Sequence, residues 1–298
     1  MYESLLFLTE LYFLFFCVEK LSRKNNDMSS LNISALQLDL AWHDPASNYA
    51  KVEALLAKES LVGELIVLPE MFTTAFSMEA ATQAEQMQGP SVSWMHQLAS
   101  RYESCVVGSL MIEEGGTYFN RFIAMTQDGI LAQYDKRHPF SLANEHLTYK
   151  PGEKQVIFTY KGWNICPQIC YDLRFPVWAR NRRTADDQLS YDLLLYVANW
   201  PEARVRHWES LLVARAIENQ SCVVGVNRVG LDAKELRYSG SSMILSAMGE
   251  RLAFNGGSEC VLTAELKKTE LEAYRREFRF WQDADEFDVK GLRLPSAI

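Results

Sequence analysis

The sequence predicts a single α/β domain in which buried strands alternate with helices along the chain. Three observations carry that expectation. Several short runs (LIVLP at 65–69, LLLYVAN at 193–199, CVVGVN at 222–227) are continuously apolar, as strands covered on both faces are. Between such runs lie stretches of helical periodicity. Within 203–219, Val205, Trp208 and Leu212 fall on one face while Arg204, Arg206 and Glu209 point away. The connections are short and rich in Gly and Pro turn signals, and no linker, low-complexity tract or short-period repeat divides the chain.

In chain order, strands are expected at 33–40, 65–68, 105–112, 119–126, 131–134, 163–169, 193–198, 222–228, 242–246 and 261–265. Helices are expected at 48–57, 91–102, 176–182, 203–219 and 268–278. Asp128 and Gly129 make the turn of a hairpin that joins 119–126 to 131–134. Further turns are marked at Gly115 and Gly116 and at Pro151 and Gly152. Periodicity leaves open whether the strands form two sheets or one large one, with helices outside.

Composition narrows the function classes. The chain has 298 residues, 48% hydrophobic and 23% charged, enough for a core that needs neither disulfide nor metal. Its formal net charge of -8, with no long basic run, argues against nucleic acid or an anionic membrane as partner. A local Arg or Lys can still receive a small anion. The six cysteines (Cys17, Cys105, Cys166, Cys170, Cys222, Cys260) show no CxxC spacing and no neighbouring His array. A disulfide framework and a zinc site are therefore poor readings, and buried thiols in a reducing, cytoplasmic setting are expected.

Residues 1–27 differ in character from the rest. LYFLFFCV at 11–18 is strongly apolar, but Glu3 and Glu10 lie before it and Lys20, Arg23 and Lys24 after it, the reverse of a secretory signal. The run is too short for a confident membrane span. The expectation is that 1–27 form an N-terminal extension, that Met28 is the natural start, and that 28–298 form one domain.

Three segments share one design, in which a buried strand ends and a reactive polar residue stands just beyond it. LIVLPEMF presents Glu70, AQYDKRHPF presents Lys136, and NICPQICYDLRFP presents Cys170. Open α/β sheets place ligand sites at the carboxyl ends of strands, so the three can converge in one cleft. Singly, each has an ordinary reading as packing cysteine, solvated cap or surface charge. Together they answer one chemical need: a thiol is mostly protonated at neutral pH, and to attack it needs a carboxylate to take its proton and a cation to favour the thiolate.

LPEMFTTAF, YDKRHPF and CYDLRFP, in this order and spacing, resemble the Glu-Lys-Cys motifs of the nitrilase superfamily, the carbon–nitrogen hydrolases. The resemblance spans about 31–290. ANEHLTYKPG and the stretch from Ala198 to Asp232 resemble the omega-amidase branch. The resemblance implies a four-layer αββα sandwich that pairs as a homodimer and uses no cofactor or metal. It implies a small amide substrate with water as co-substrate: ω-amides of dicarboxylic acids such as 2-oxoglutaramate and 2-oxosuccinamate. The roles it implies are Cys170 as nucleophile, Glu70 as general base, and Lys136 with the Tyr171 backbone N–H as oxyanion donors. Glu145 is a second carboxylate that orients Lys136 or water. Deaminated-glutathione amidase, N-carbamoyl amide hydrolase and nitrilase share the same trio. A catalytically silent scaffold would have lost a member of the trio, and a membrane-anchored acyltransferase needs several spans.

Other residues carry two readings each. Arg174 either binds a substrate carboxylate or pairs with Asp172 to secure the helix start. Asn199 and Trp200 line the pocket or serve as a turn and a packed aromatic. Phe76 and Tyr118 wall the pocket or belong to the core. His138 and His207 are expected in structural roles, the charged stretch 270–279 as a solvated face. Cys166, four strand residues before Cys170, is about 13 Å from it and too far for a disulfide. For the chain start, intact-mass analysis of the abundant cellular form is expected to show Met28 as first coded residue; an intact Met1 there refutes the expectation.

Overall fold

A computed structural model describes residues 30–289; the apolar run 11–18, Cys17 and the proposed start at Met28 lie outside the described residues. One mixed sheet has the order β14-β1-β2-β3-β4-β5. Its strands are β1 (Ser30–Gln37), β2 (Leu65–Val67), β3 (Cys105–Glu114), β4 (Thr117–Thr126), β5 (Gly129–Asp135) and β14 (Cys260–Lys267). A second has the order β13-β12-β9-β8-β7-β6, built from β6 (Phe158–Tyr160), β7 (Trp163–Ile169), β8 (Leu193–Ala198), β9 (Cys222–Asn227), β12 (Ser242–Leu245) and β13 (Arg251–Asn255). A small hairpin, β10 (Val229–Leu231) and β11 (Arg237–Ser239), stands apart from both.

Alternation along the first sheet explains the layering. Leu65 and Val67 of β2 and Cys105 and Val107 of β3 join a core shared with Ile165, Leu193 and Leu195 of the facing sheet. Ile66 and Val106 point the other way and pack under helices α1 (Pro45–Leu56) and α3 (Pro90–Tyr102), against Val52, Leu56, Met95 and Leu98. A short helix, α2 (Ala80–Gln83), lies between them in sequence. On the second sheet every residue of β8 is buried, which is why that strand reads as a continuous apolar run. Its outer face is covered by α6 (Val205–Asn219) through Trp208, Leu212 and Ala216. Gly225 of β9 permits that contact, since a Cβ there would stand 2.4 Å from Leu212 Cδ1. The result is the four-layer αββα sandwich.

Directions then fix one end of the molecule as special. β1, β2 and β3 run parallel, and two antiparallel pairings return β5 to the same direction. β7, β8 and β9 are parallel to one another. The segments that leave β2, β5, β7 and β8 meet: Glu70, from the first, bonds Lys136 from the second and Asn199 from the fourth, and the Asn199 carbonyl accepts the Cys170 thiol from the third.

Differences from the sequence expectation are local. The helix expected over 176–182 ends as α5 (Pro176–Ala179), because Asn181 leaves the helical path to bond its N–H to Asn219 Oδ1 (2.8 Å) and its side-chain amide to the Tyr191 and Asn219 carbonyls. The α6 helix starts two residues late, after a 3₁₀ turn at Glu202–Arg204. The first strand ends at Gln37, and 38–40 leaves the sheet to meet the segment after β9 through the bridge Asp39↔Val229 and the Arg228 side chain, which reaches Asp39 and the Leu40 carbonyl. Strands β6, β10, β11 and β13 were not anticipated: three are only three residues long, and β13 is half exposed, so none has a buried run to reveal it.

The described cysteines are free thiols. Burial pushes Cys105, Cys166 and Cys222 up to about 12, whereas unfolded thiols ionise near pH 8.5. Below about pH 8.5 both states keep the protons and the shift has no effect on stability; above it the unfolded chain gains by ionising while the native thiols cannot. Stability is therefore expected to fall as pH rises from about 8.5 toward 12, by about 2 kcal/mol per thiol at pH 10. Urea denaturation of wild type and Cys166→Ala at neutral pH and near pH 10 checks this; a loss on alkalinisation as large in Cys166→Ala as in wild type contradicts it.

Candidate active site

Glu70 stands three residues past β2, Lys136 directly after β5 and Cys170 directly after β7. Glu145 opens a one-turn helix, α4 (Glu145–Thr148). The structure brings all four together. Lys136 Nζ lies 2.8 Å from Glu70 Oε1 and 2.8 Å from Glu145 Oε2, and the three charged side chains are 0–2% exposed. Glu70 Oε2 accepts the Asn199 backbone N–H at 2.8 Å, and the Asn199 amide donates to the Glu70 carbonyl at 2.6 Å. Asn120, on β4, donates from Nδ2 to Glu70 Oε1 (2.8 Å) and Glu145 Oε1 (3.1 Å). The second Glu145 oxygen also accepts the Phe140 N–H.

The Cys170 thiol is buried against this cluster, donating to the Asn199 carbonyl oxygen at 3.8 Å, with Glu70 and Lys136 near enough to act on its ionisation. Its backbone has φ +45°, a left-handed conformation that costs a non-glycine residue about 1 kcal/mol or more. Asp172, fully buried, holds this turn: it accepts the Ile169 N–H (3.0 Å), the Tyr134 hydroxyl (2.8 Å), and the His138 N–H (3.0 Å) and ring Nδ1 (2.7 Å). Tyr134 sits at the end of β5 and His138 just beyond Lys136, so one carboxylate ties the Cys170 turn to the Lys136 strand.

The electrostatics follow from burial and neighbours. Burial pushes the Cys170 thiol well above its ordinary range, Glu70 adds to this, and Lys136 opposes it. Burial acts against the Lys136 ammonium, but Glu145 and then Glu70 outweigh it and hold the lysine above its usual value. Burial also raises Glu145; Lys136 opposes the rise and the Glu70 charge adds to it. At neutral pH the site thus holds a protonated thiol beside a firmly charged ammonium. Among the described residues no group of three or more His, Cys, Asp or Glu side chains is arranged to hold a metal.

Cys170 opens onto a pocket of about 380 Å³. Phe76, Arg174, Asn199 and Trp200, expected at a pocket, line it, and so does Tyr171, expected only for its backbone N–H. Phe76 stands under Lys136, with Nζ 5.3 Å from the ring centroid. Tyr118 does not line this pocket. It lies on the same face of β4 as Asn120 but two residues nearer the Gly115–Gly116 turn, and packs on the cluster of Met71, Met111 and Tyr149. The ion-pair reading of Arg174 also fails, because Asp172 is taken up by backbone, Tyr134 and His138. Arg174 instead lays its guanidinium 4.6 Å over Trp200, with Nη2 3.2 Å from His207 Nδ1. His138 and His207 serve as partners of Asp172 and Arg174.

Residues unforeseen in the sequence complete the walls: Phe140, Arg204, Asp232, Lys234 and Tyr238. The last three come from the β10–β11 hairpin. Asp232 closes its loop by accepting the Lys234 N–H (2.8 Å), the Leu236 N–H (3.0 Å) and the Tyr238 hydroxyl (3.0 Å). Arg228, fully buried, anchors the hairpin to the Leu40 and Leu231 carbonyls and lies 4.7 Å over the Tyr238 ring. Asn120 had one available signal, an amide within the otherwise apolar face of a strand; the loop residues had none.

Residues 32–276 match the carbon–nitrogen hydrolase family, and the chain belongs to that family, within the nitrilase superfamily. It is a hydrolase of carbon–nitrogen bonds, an amidase of that superfamily. It is 44% identical over 262 residues to the omega-amidase YafV of Escherichia coli K12, covering 87% of this chain and 99% of that one. The 2-oxoglutaramate amidase of Bacillus subtilis is 33% identical over 254 residues, covering 84% and 96%. The crystal structure of XC1258 from Xanthomonas campestris, a superfamily protein with an arsenic adduct in its active site, superposes with a TM-score of 0.85 at 43% identity, covering 87% and 99%. No helix among the described residues is long and apolar enough to cross a membrane.

Proposed function

We propose that the protein is a cysteine-dependent omega-amidase that removes ammonia from small dicarboxylic monoamides such as 2-oxoglutaramate and 2-oxosuccinamate. The observation that carries this reading is the buried Glu70–Lys136–Cys170 cluster opening on a pocket edged by Arg174, Arg204 and Lys234. A volume of about 380 Å³ suits a substrate of few heavy atoms. In this proposal Arg174 receives the substrate carboxylate; its stacking on Trp200 fixes the guanidinium plane for a bidentate pair. Arg204 and Lys234 add positive potential at the mouth, while Phe76, Asn199 and Trp200 shape the wall. Homodimeric assembly and cytoplasmic residence belong to the same proposal.

The chemistry is a double displacement. Cys170 Sγ attacks the amide carbonyl carbon. Because burial keeps the thiol protonated at rest, its proton passes to Glu70 as the carbon–sulfur bond forms. The oxyanion is held by the Lys136 ammonium and the Tyr171 backbone N–H. Glu70 returns the proton to the leaving nitrogen, the carbon–nitrogen bond breaks, and ammonia departs from a thioester. Glu70 then takes a proton from water as it attacks the thioester, and the thiol leaves reprotonated. Glu145 keeps Lys136 aimed at the reacting oxygen throughout.

Cys170→Ala is expected to abolish turnover and Lys136→Ala to lower kcat by about 10²-fold or more; purified Cys170→Ala with full activity refutes the assignment. For the substrate, ammonia release is expected to be fastest from 2-oxoglutaramate and 2-oxosuccinamate in a panel that includes deaminated glutathione, an N-carbamoyl amide and a nitrile. Arg174→Ala is expected to raise KM for 2-oxoglutaramate about 10-fold or more, with little change for an uncharged amide. A preference for nitriles, or equal losses on both amides, sinks the corresponding part.

A further inference from the structure

Asn120 makes contacts that none of the roles above uses. The residue is 1% exposed and sits on β4 between the two carboxylates of the cluster. Its Nδ2 lies 2.8 Å from Glu70 Oε1 and 3.1 Å from Glu145 Oε1, so the two hydrogens of one amide nitrogen serve the two carboxylates, one each. The same two oxygens face Lys136 Nζ at 2.8 and 3.0 Å. Its backbone takes part as well, since the Asn120 carbonyl accepts the Lys136 N–H at 3.0 Å. The amide orientation follows from chemistry, because only the NH₂ end can lie against two carboxylate oxygens. The other end, Oδ1, makes no hydrogen bond among the described residues.

We propose that Asn120 is a positioning residue that keeps Glu70 and Glu145 separately ionised on either side of Lys136, leaving Glu70 free to accept the Cys170 proton. The inference rests on the cysteine chemistry proposed above.

The physical need is an excess of buried negative charge. Glu70 and Glu145 carry two charges and Lys136 offsets one. In a buried site, two carboxylates sharing one cation tend to relieve the excess by taking up a proton. The other ionisable groups facing the pair do not relieve it. Cys170, from the turn after β7, is held as the neutral thiol. Tyr149, from the end of α4, is kept neutral by burial and donates its hydroxyl to the Ser77 carbonyl at 2.7 Å. Asn199, from the end of β8, is neutral and serves Glu70 alone. Asn120 is the group that donates to both carboxylates without adding charge. A second ammonium there would quench the carboxylate needed as base, and a carboxylate would deepen the excess. Burial and the Glu70 charge already raise Glu145 against the pull of Lys136, and loss of the Asn120 donors acts in the same direction.

The test is the pH dependence of kcat and KM for wild type, Asn120→Leu and Asn120→Asp, with 2-oxoglutaramate as substrate. Losing donors to an ionised pair makes protonation easier, so the acid limb of kcat/KM should move up by about one pH unit or more in both variants. At neutral pH, Asn120→Leu should lose about 10-fold or more, mainly in kcat, and recover part of the loss as pH rises. A residue with only a packing role would change stability or KM and leave the acid limb in place. An unmoved acid limb in either folded variant overturns the proposal; if Asn120→Leu does not fold, the near-isosteric Asn120→Asp decides alone. The two readings fail separately: activity in Cys170→Ala removes the cysteine chemistry whatever Asn120 does, whereas an inactive Cys170→Ala with unmoved limbs removes only the Asn120 role.

Discussion

The buried ammonium of Lys136 between Glu70 and Glu145 is the constraint on which the rest of the structure depends. Taking three charges out of water costs several kcal/mol per ion, recovered only where geometry is good and the remaining lone pairs are satisfied. Here they are satisfied from several directions: Glu70 by Lys136, Asn120 and Asn199, and Glu145 by Lys136, Asn120 and the Phe140 N–H. These donors come from β4, β5 and β8 and from the loop before α4. Such a cluster cannot assemble unless both sheets are already locked face to face. The apolar layer of Leu65, Val67, Val107, Ile165 and Leu193 does that locking. The core and the charges are therefore one arrangement: apolar burial supplies the rigidity, and rigidity makes the buried ions tolerable.

A second carboxylate extends the same logic to the thiol. Asp172 takes its partners from the Cys170 turn, from Tyr134 and from His138, and so fastens a strained backbone to the strand that ends in Lys136. The left-handed φ at Cys170 persists because four donors converge on one buried acceptor group. Asp172 and Glu145 play parallel parts, each acidic, each buried, and each holding a residue of opposite or strained character where the strands end. Neither is adjacent in sequence to all that it holds.

How legible this was depends on the kind of signal. Strands buried on both faces announce themselves as apolar runs, so 193–198 coincides with β8 and 222–228 overshoots β9 by a single residue. Short or half-exposed strands such as β10, β11 and β13 bury too little to leave a pattern. Glu70 follows the apolar run of β2, but Lys136 follows β5, an edge strand in which only Tyr134 is buried, and Cys170 follows β7, which is buried yet interrupted by Asn164 and Gln168. For these two, and for Glu145, motif resemblance was the stronger signal. Arg204, Lys234 and Tyr238 were not readable, because loops reach the pocket through turn geometry that periodicity does not encode. Arg174 was half readable: its place beside the nucleophile was evident, but the choice between Asp172 and the pocket turned on Asp172 being occupied by groups 34 and 38 residues away. Tyr118 misled for a related reason. It shares a face with Asn120, and only the position along β4 separates the residue against the charges from the one packed on Tyr149.

This division has a chemical meaning. Groups placed by strand ends are deeply buried and mutually dependent, so altering one leaves an uncompensated charge in low dielectric, at a cost of about 3–5 kcal/mol when a buried pair is broken. The pocket cations differ: Arg174 and Arg204 rest on the faces of Trp200 and Phe140 at 4.6 and 5.5 Å and are only half-buried. Lys234 sits on an exposed hairpin loop. Removing one of these costs little stability, because a solvated cation needs no partner to remain soluble. The fold thus separates what must stay fixed for amide cleavage from what can vary with the substrate, and the boundary runs along the ends of β5, β7 and β8. On the proposed mechanism, reaction type is set on the buried side of that boundary and substrate choice on the exposed side.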